Sequence, residues 1–189
     1  ALNTIEVLGA QTAIAINNAH LYSSINHRLS ELSLVSTFSE KIMGLIDRFD
    51  IIRCLFETVL IHADLNCLGY LLVKKRFHDF MFWSSNEISP YITQLILEKV
   101  VNSYNSISKN KNISLKRVRI RKIELPSKTS AQNAHIAFPF DFEQIKSLVW
   151  GENDFGALYF GSINLHRDKH LVLSLLSTLV AQARIALTN

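Results

Sequence analysis

Between Ala10 and Met43 the chain has no glycine or proline, and its apolar and small residues recur at Leu8, Gln11, Ala15, Asn18, Tyr22, Ile25, Leu29 and Leu32. The spacing alternates three and four, a heptad seam with two amide members. One helix over this span would be roughly 50–65 Å long at about 1.5 Å per residue. That is longer than a domain of this size needs internally, so the pattern predicts pairing with a second copy. Leu8, Gln11, Ala15, Asn18, Tyr22, Ile25, Leu29 and Leu32 form the expected dimer interface. Gln11 and Asn18 are placed to fix register, as buried amides do in coiled coils. The alternative, compatible with pairing, is that Ala1–Leu21 packs against the chain's own last helix.

Gly44 reads as a helix stop, and Asp47 or Asp50 as the cap of a second helix running to about His62. Beyond it the period changes to runs of aromatic and aliphatic residues. Cys67–Val73 and Phe77–Trp83 form a hairpin about the turn Lys74-Lys75-Arg76. Ser89-Pro90 opens a helix that ends near Tyr104. Leu115–Leu125 sets Val118, Ile120 and Ile123 against Arg117, Arg119 and Arg121, a strand with one cationic face. His135–Phe142 and Phe155–Gly161 are two further strands, and Asp168 caps a last helix from Lys169 to Leu187. The expected class is α+β: a central antiparallel sheet of about five or six strands, with long N- and C-terminal helices packed on one face.

The ends of the chain repeat. Leu8–Asn18 and Leu179–Asn189 align without a gap, with identity at Leu8/Leu179, Ala10/Ala181, Gln11/Gln182, Ile14/Ile185, Ala15/Ala186 and Asn18/Asn189. A repeat one domain-length apart suggests modules strung on helices. The expected division is a signalling or linker helix over residues 1–29, the tail of a preceding module, and one domain over 30–189.

Three segments carry a family resemblance. Leu175–Leu187 is similar to the closing-helix pattern "LL..LA.QA.IAI.NA" of the GAF family of small-molecule sensor domains. Ile136-Ala-Phe-Pro-Phe140 resembles that family's "i.vPl" strand, and Phe155-Gly-Ala-Leu-Tyr-Phe160 its "iGvLyl" strand. The resemblance covers Ser30 to Asn189, and Ala1–Tyr22 resembles the closing helix of another such module. It implies a ligand pocket on one sheet face, and terminal helices on the other that often dimerise. It also implies a place in a larger signalling protein such as a sensor histidine kinase of a two-component system, or a cyclase. The bilin-carrying members use a cysteine, typically followed by histidine, late in the domain. Cys54 and Cys67 lie early and neither precedes a histidine, so a covalent bilin is not expected. The cyclic-nucleotide signature of the family has no match, and the cofactor stays unknown.

The 189 residues hold 48% hydrophobic and 19% charged residues, with a net charge of +4 and a pI near 9.1. These values suit a globular domain. No run of about 18 apolar residues predicts a membrane span. The expected setting is the cytoplasm, with Cys54 and Cys67 reduced, and no membrane contact is expected of this chain. From Lys109 to Lys128 eight cations face one acid, Glu124. Arg117, Arg119 and Arg121 would either grip an anion or shield a solvated edge strand, and the edge reading is the preferred one. No aromatic residue lies between Asn105 and Ala137 for base stacking, so nucleic acid is not an expected partner.

The candidate ligand-binding residues are Tyr70, Phe82, Arg117, Arg119, Arg121, His135, Phe138 and Tyr159. His166 and His170 have a helical metal spacing but no third ligand, so no metal site is expected. His166-Arg-Asp168 lacks the asparagine that a kinase loop needs, and His27 lacks the flanks of a phospho-acceptor box. No catalytic residue is assigned. The leading expectation is a non-catalytic sensory module, homodimeric through its terminal helices, that binds an unknown small molecule and acts on an output domain of its parent protein. A ligand-free dimerisation spacer is the second reading, and a thiol-redox enzyme the third.

Overall fold

The computed structural model describes residues 2–108, 112–125, 140–150, 153–163 and 165–188. The elements are α1 (Leu2–Met43), α2 (Arg48–His62), β1 (Cys67–Leu72), β2 (His78–Ser84), α3 (Pro90–Ile107), a short 3-10 turn (Leu115–Arg117), β3 (Val118–Lys122), β4 (Phe142–Trp150), β5 (Asn153–Ser162) and α4 (Lys169–Thr188). The class is α+β with long first and last helices, as the sequence predicts. The chain divides into two compact units, Ala1–Thr37 and Phe38–Asn189.

The first unit is helix alone. Every residue from Ile5 to Ser30 is exposed, including Leu8, Tyr22, Ile25, Leu29 and the following Leu32 at 51–70%. The large apolar residues also include Val7, Ile14 and Leu21, one heptad position from the seam. The uncovered stripe is therefore wider than a two-position seam.

The second unit is a three-layer sandwich. Its sheet runs β3-β2-β1-β5-β4. On one face lies α3, with Ile96, Leu97, Val100, Val101 and Tyr104 packed on Cys67, Leu71, Phe80, Phe82 and Tyr159. On the other face lie α2 and α4, and with them Phe38 and Ile42 from the last turns of α1 (1% and 3% exposed). Phe56 of α2 meets Phe160 of β5 edge-on, with centroids 6.3 Å apart. The starts follow local chemistry. Asp47 Oδ1 accepts the Phe49 N–H and caps α2, and Ser89 Oγ accepts the Ile92 N–H ahead of Pro90 in α3. Asp168 Oδ1 accepts the His170 N–H at the start of α4.

The expected antiparallel sheet is mixed. β1 pairs antiparallel with β2 and β5, and β4 with β5, but β3 runs parallel to β2. The connection from β2 to β3 contains all of α3, and a crossover through a helix carries the chain back to the end of the sheet at which β2 began. β4 is a strand that the periodicity does not reveal. The expected strand His135–Phe142 falls outside the described residues, save Phe140–Phe142. α4 is long and apolar enough to span a bilayer, with a mean hydropathy of 1.7 over its best window. Its Val172, Leu175, Leu176, Leu179, Val180, Ala183 and Leu187 are nonetheless buried in the sandwich. Such a helix of a packed core passes the same length and composition test as a membrane span.

At Gly156 the β4–β5 register shifts by one residue, and its φ is +140°. A Cβ there would lie 1.6 Å from the Leu71 carbonyl oxygen. Gly156→Ala is expected to cost about 3 kcal/mol or more, because strain and collision add, and urea unfolding followed by circular dichroism measures it.

Candidate functional site

The α3 face of the sheet carries a row of aromatic side chains built over glycines. Gly69 stands opposite Phe82 on β2 and Tyr159 on β5, so both candidates share one rank and one face. Phe80 and Phe82 stack with centroids 5.9 Å apart, and Phe140 meets Tyr159 edge-on at 6.3 Å. Tyr159 lies across Gly161. A Cβ on that glycine would sit 2.8 Å from the phenol oxygen, so the missing side chain is what lets the ring lie down. There the Tyr159 hydroxyl donates to Glu143 Oε1 at 2.8 Å. Lys99 Nζ of α3 holds Glu143 Oε2 at 2.5 Å. Lysine, carboxylate and phenol thus form a chain from the solvent edge of α3 into a face where Tyr159 is fully buried. Burial drives the Tyr159 hydroxyl far above its ordinary pKa, and the Glu143 charge and hydrogen bond push it further the same way. The phenol therefore stays neutral, with its one proton given to Glu143.

Tyr70 belongs to the next rank, opposite Met81 and Leu158, and points to the α2 face. The sheet separates it from Phe82 and Tyr159, because alternate residues of a strand face opposite ways. His135 and Phe138 lie outside the described residues, as do Lys109, Lys111 and Lys128.

The cationic strand has internal employment. Arg119 and Arg121 share the α2 face of β3 with Asp79, whose register partner is Arg119. The Asp79 side chain is only 5% exposed. Lys74 Nζ bonds its Oδ2 at 2.5 Å, and Arg121 Nε stands 3.2 Å from its Oδ1, an ion-pair contact without hydrogen-bond alignment. Arg119 sits 4.7 Å over the Phe77 ring. Burial works against the Asp79 charge, yet the Lys74 bond and the charges of Lys74, Arg121 and Arg119 outweigh it and hold the carboxyl below its usual range. Arg117 ends the 3-10 turn, exposed, ahead of this group. β3 is an edge strand, and exposed cations suit an edge that must resist pairing with other chains.

Both cysteines are free thiols. Burial pushes Cys67 strongly upward, and Cys54 more mildly, away from the thiolate that redox or nucleophilic chemistry requires. Among the described residues no three His, Cys, Asp or Glu side chains converge as a metal site. Glu143 and Lys99 are the members of the α3-face site that sequence reasoning missed. They lie 44 residues apart, and Lys99 occupies a position of α3 that reads as part of its apolar stripe. The chain matches no protein-family model and no curated protein.

Two outcomes are expected. Asp79 contributes stability above the unfolded carboxylate pKa of about 4, and that stability is lost as pH falls through its lowered folded value. Asp79→Asn should cost roughly 1–3 kcal/mol at pH 7 and flatten the loss between pH 4 and pH 2, as read from unfolding midpoints against pH. Cys67 should resist thiol reagents at pH 8 in the native protein and react fully in urea, and mass spectrometry of labelled protein checks this.

Proposed function

We propose that the chain is a non-catalytic, GAF-like sensory or regulatory module of a larger signal-transduction protein, dimeric through its helices. In this reading its partners are a second copy, a small-molecule ligand and an output domain such as a histidine kinase or cyclase. Its setting is the cytoplasm, where Cys54 and Cys67 stay reduced. The observation that carries the reading is the exposed heptad line of α1, from Leu8 through Leu32. An isolated apolar helix has no reason to keep that line in water. Burying Leu8, Tyr22, Ile25, Leu29 and Leu32 from two copies is worth on the order of 10–20 kcal/mol. Association costs about 4–15 kcal/mol, so pairing is favoured over most of that range.

The amides Gln11 and Asn18 give the seam its regulatory capacity. A seam with polar members tolerates more than one register at similar energy, and a ligand that prefers one packing shifts the population. The raised thiols of Cys54 and Cys67 weigh against the thiol-enzyme alternative. A ligand-free dimerisation spacer is the second reading, and the aromatic packing of the α3 face favours it. Native mass spectrometry separates the two by whether a small molecule leaves with the dimer.

The reading predicts a dimer by sedimentation velocity at micromolar concentration. Leu29→Glu with Leu32→Glu should turn it into a monomer, weakening association at least 100-fold, while the thermal unfolding of residues 38–189 stays within about 2 °C. A wild-type monomer at 100 μM would remove the proposal.

A further inference from the structure

The α2 face holds a crevice that the relay of helices does not use. It has a volume of about 130 Å³ and is lined by Phe49, Ile52, Arg53 and Phe56 of α2, Tyr70 of β1, Met81 of β2, and Ile123 and Glu124 just after β3. Its floor is buried: Phe56 and Tyr70 fully, Ile52 at 2% exposed and Met81 at 7%. Exposure rises outward to Phe49 at 38%, and Arg53 and Glu124 stand at the mouth. The wall formed by Ile123 is fixed, because its N–H continues the ladder to the Phe82 carbonyl at 2.9 Å.

The geometry points to this crevice as a binding site for a small neutral aromatic molecule of about one ring. Size sets the upper limit. An apolar cavity of about 150 Å³ takes up benzene, and this one is slightly smaller. The lining sets the chemistry: two phenylalanines, a tyrosine ring, a thioether and two isoleucines reward a flat apolar ligand. The mouth carries Arg53 and Glu124, and Arg53 is already bonded to Glu57 at 3.1 Å, so neither cation nor carboxylate among the lining residues is set to grip an anionic ligand. The site lies on the α2 face of the sheet, across from the Tyr159–Glu143–Lys99 chain.

Its position gives binding a consequence. α2 presents Ile52 and Phe56 to the crevice and Ile51 to a groove shared with Ile42 of α1 and Leu187 of α4. A ring wedged between α2 and the sheet acts on the packing of the last turn of α1. That consequence rests on the regulatory reading above; the binding does not.

The test uses the whole chain with benzene and indole as probes. Benzene should bind saturably, raise the melting temperature by about 3–5 °C at tenfold excess over Kd, and shift the NMR signals of Ile52, Tyr70 and Met81 but not of Ile96 or Val100. Ile123→Trp fills the crevice and should abolish the effect. Phe49→Ala, at the exposed mouth, keeps the fold and should move preference from benzene to indole about tenfold. No saturable binding, or shifts confined to the α3 face, overturns the site and leaves the regulatory reading standing. Binding that leaves the NMR signals of Ile42 and of the α1 seam unchanged upholds the site and counts against the regulatory reading alone.

Discussion

The second unit hangs on β1. It is hydrogen-bonded to β2 on one side and to β5 on the other, and Cys67, Leu68, Tyr70 and Leu71 are all completely buried. A strand covered on both faces and paired on both edges has no place for an uncompensated polar group, since burying one costs several kcal/mol. The polar chemistry of the fold is therefore displaced to the margins of the sheet. Asp79 finds its cations where β2 meets the edge strand β3, and Glu143, on the opposite edge strand β4, finds Tyr159 of β5 and Lys99 of α3. Each carboxylate is held by partners from more than one segment. Both thus serve as ties between the sheet and what surrounds it.

The two faces of the sheet do different work. On the α3 face, aromatic rings lie over Gly69 and Gly161 and fill the space that those residues leave. On the other face, α2 stands off enough at its first turns to leave a crevice beside Tyr70 and Met81. That helix is also the element next to the end of α1 and the end of α4. A change in the crevice has a short mechanical path to the helices, whereas a change near Tyr159 must cross the sheet. Packed interiors move by discrete rearrangement rather than by smooth deformation, so the shorter path is the more effective one.

The terminal repeat shows how one sequence pattern serves two environments. In α4, Leu179, Ala183 and Leu187 face the sandwich and are buried. In α1, Leu8 and Ile16, which match Leu179 and Leu187, are more than half exposed. Identical local propensity gives a helix both times. Whether its apolar side is covered depends on what the rest of the chain, or a second chain, brings to it.

Helices were the most legible part of the sequence. Asp47, Ser89-Pro90 and Asp168 mark their starts by side-chain chemistry that acts within three residues, and Gly44 marks the end of α1. The hairpin of β1 and β2 was legible too, because its strands are apolar runs around the cationic turn Lys74-Lys75-Arg76. β4 was not, because Glu143, Lys146 and Ser147 interrupt its alternation on both faces, and their partners Tyr159, Lys99, Ser177 and Arg184 are remote in sequence. The parallel pairing of β3, the separation of Tyr70 from Tyr159, and the capture of Arg121 by Asp79 share that reason. Sequence by itself determined what short-range physics determines: caps, periods, the long helix and its seam. Only the tertiary structure decided which strand neighbours which, and hence which charges meet, because those energies depend on contacts between residues tens of positions apart.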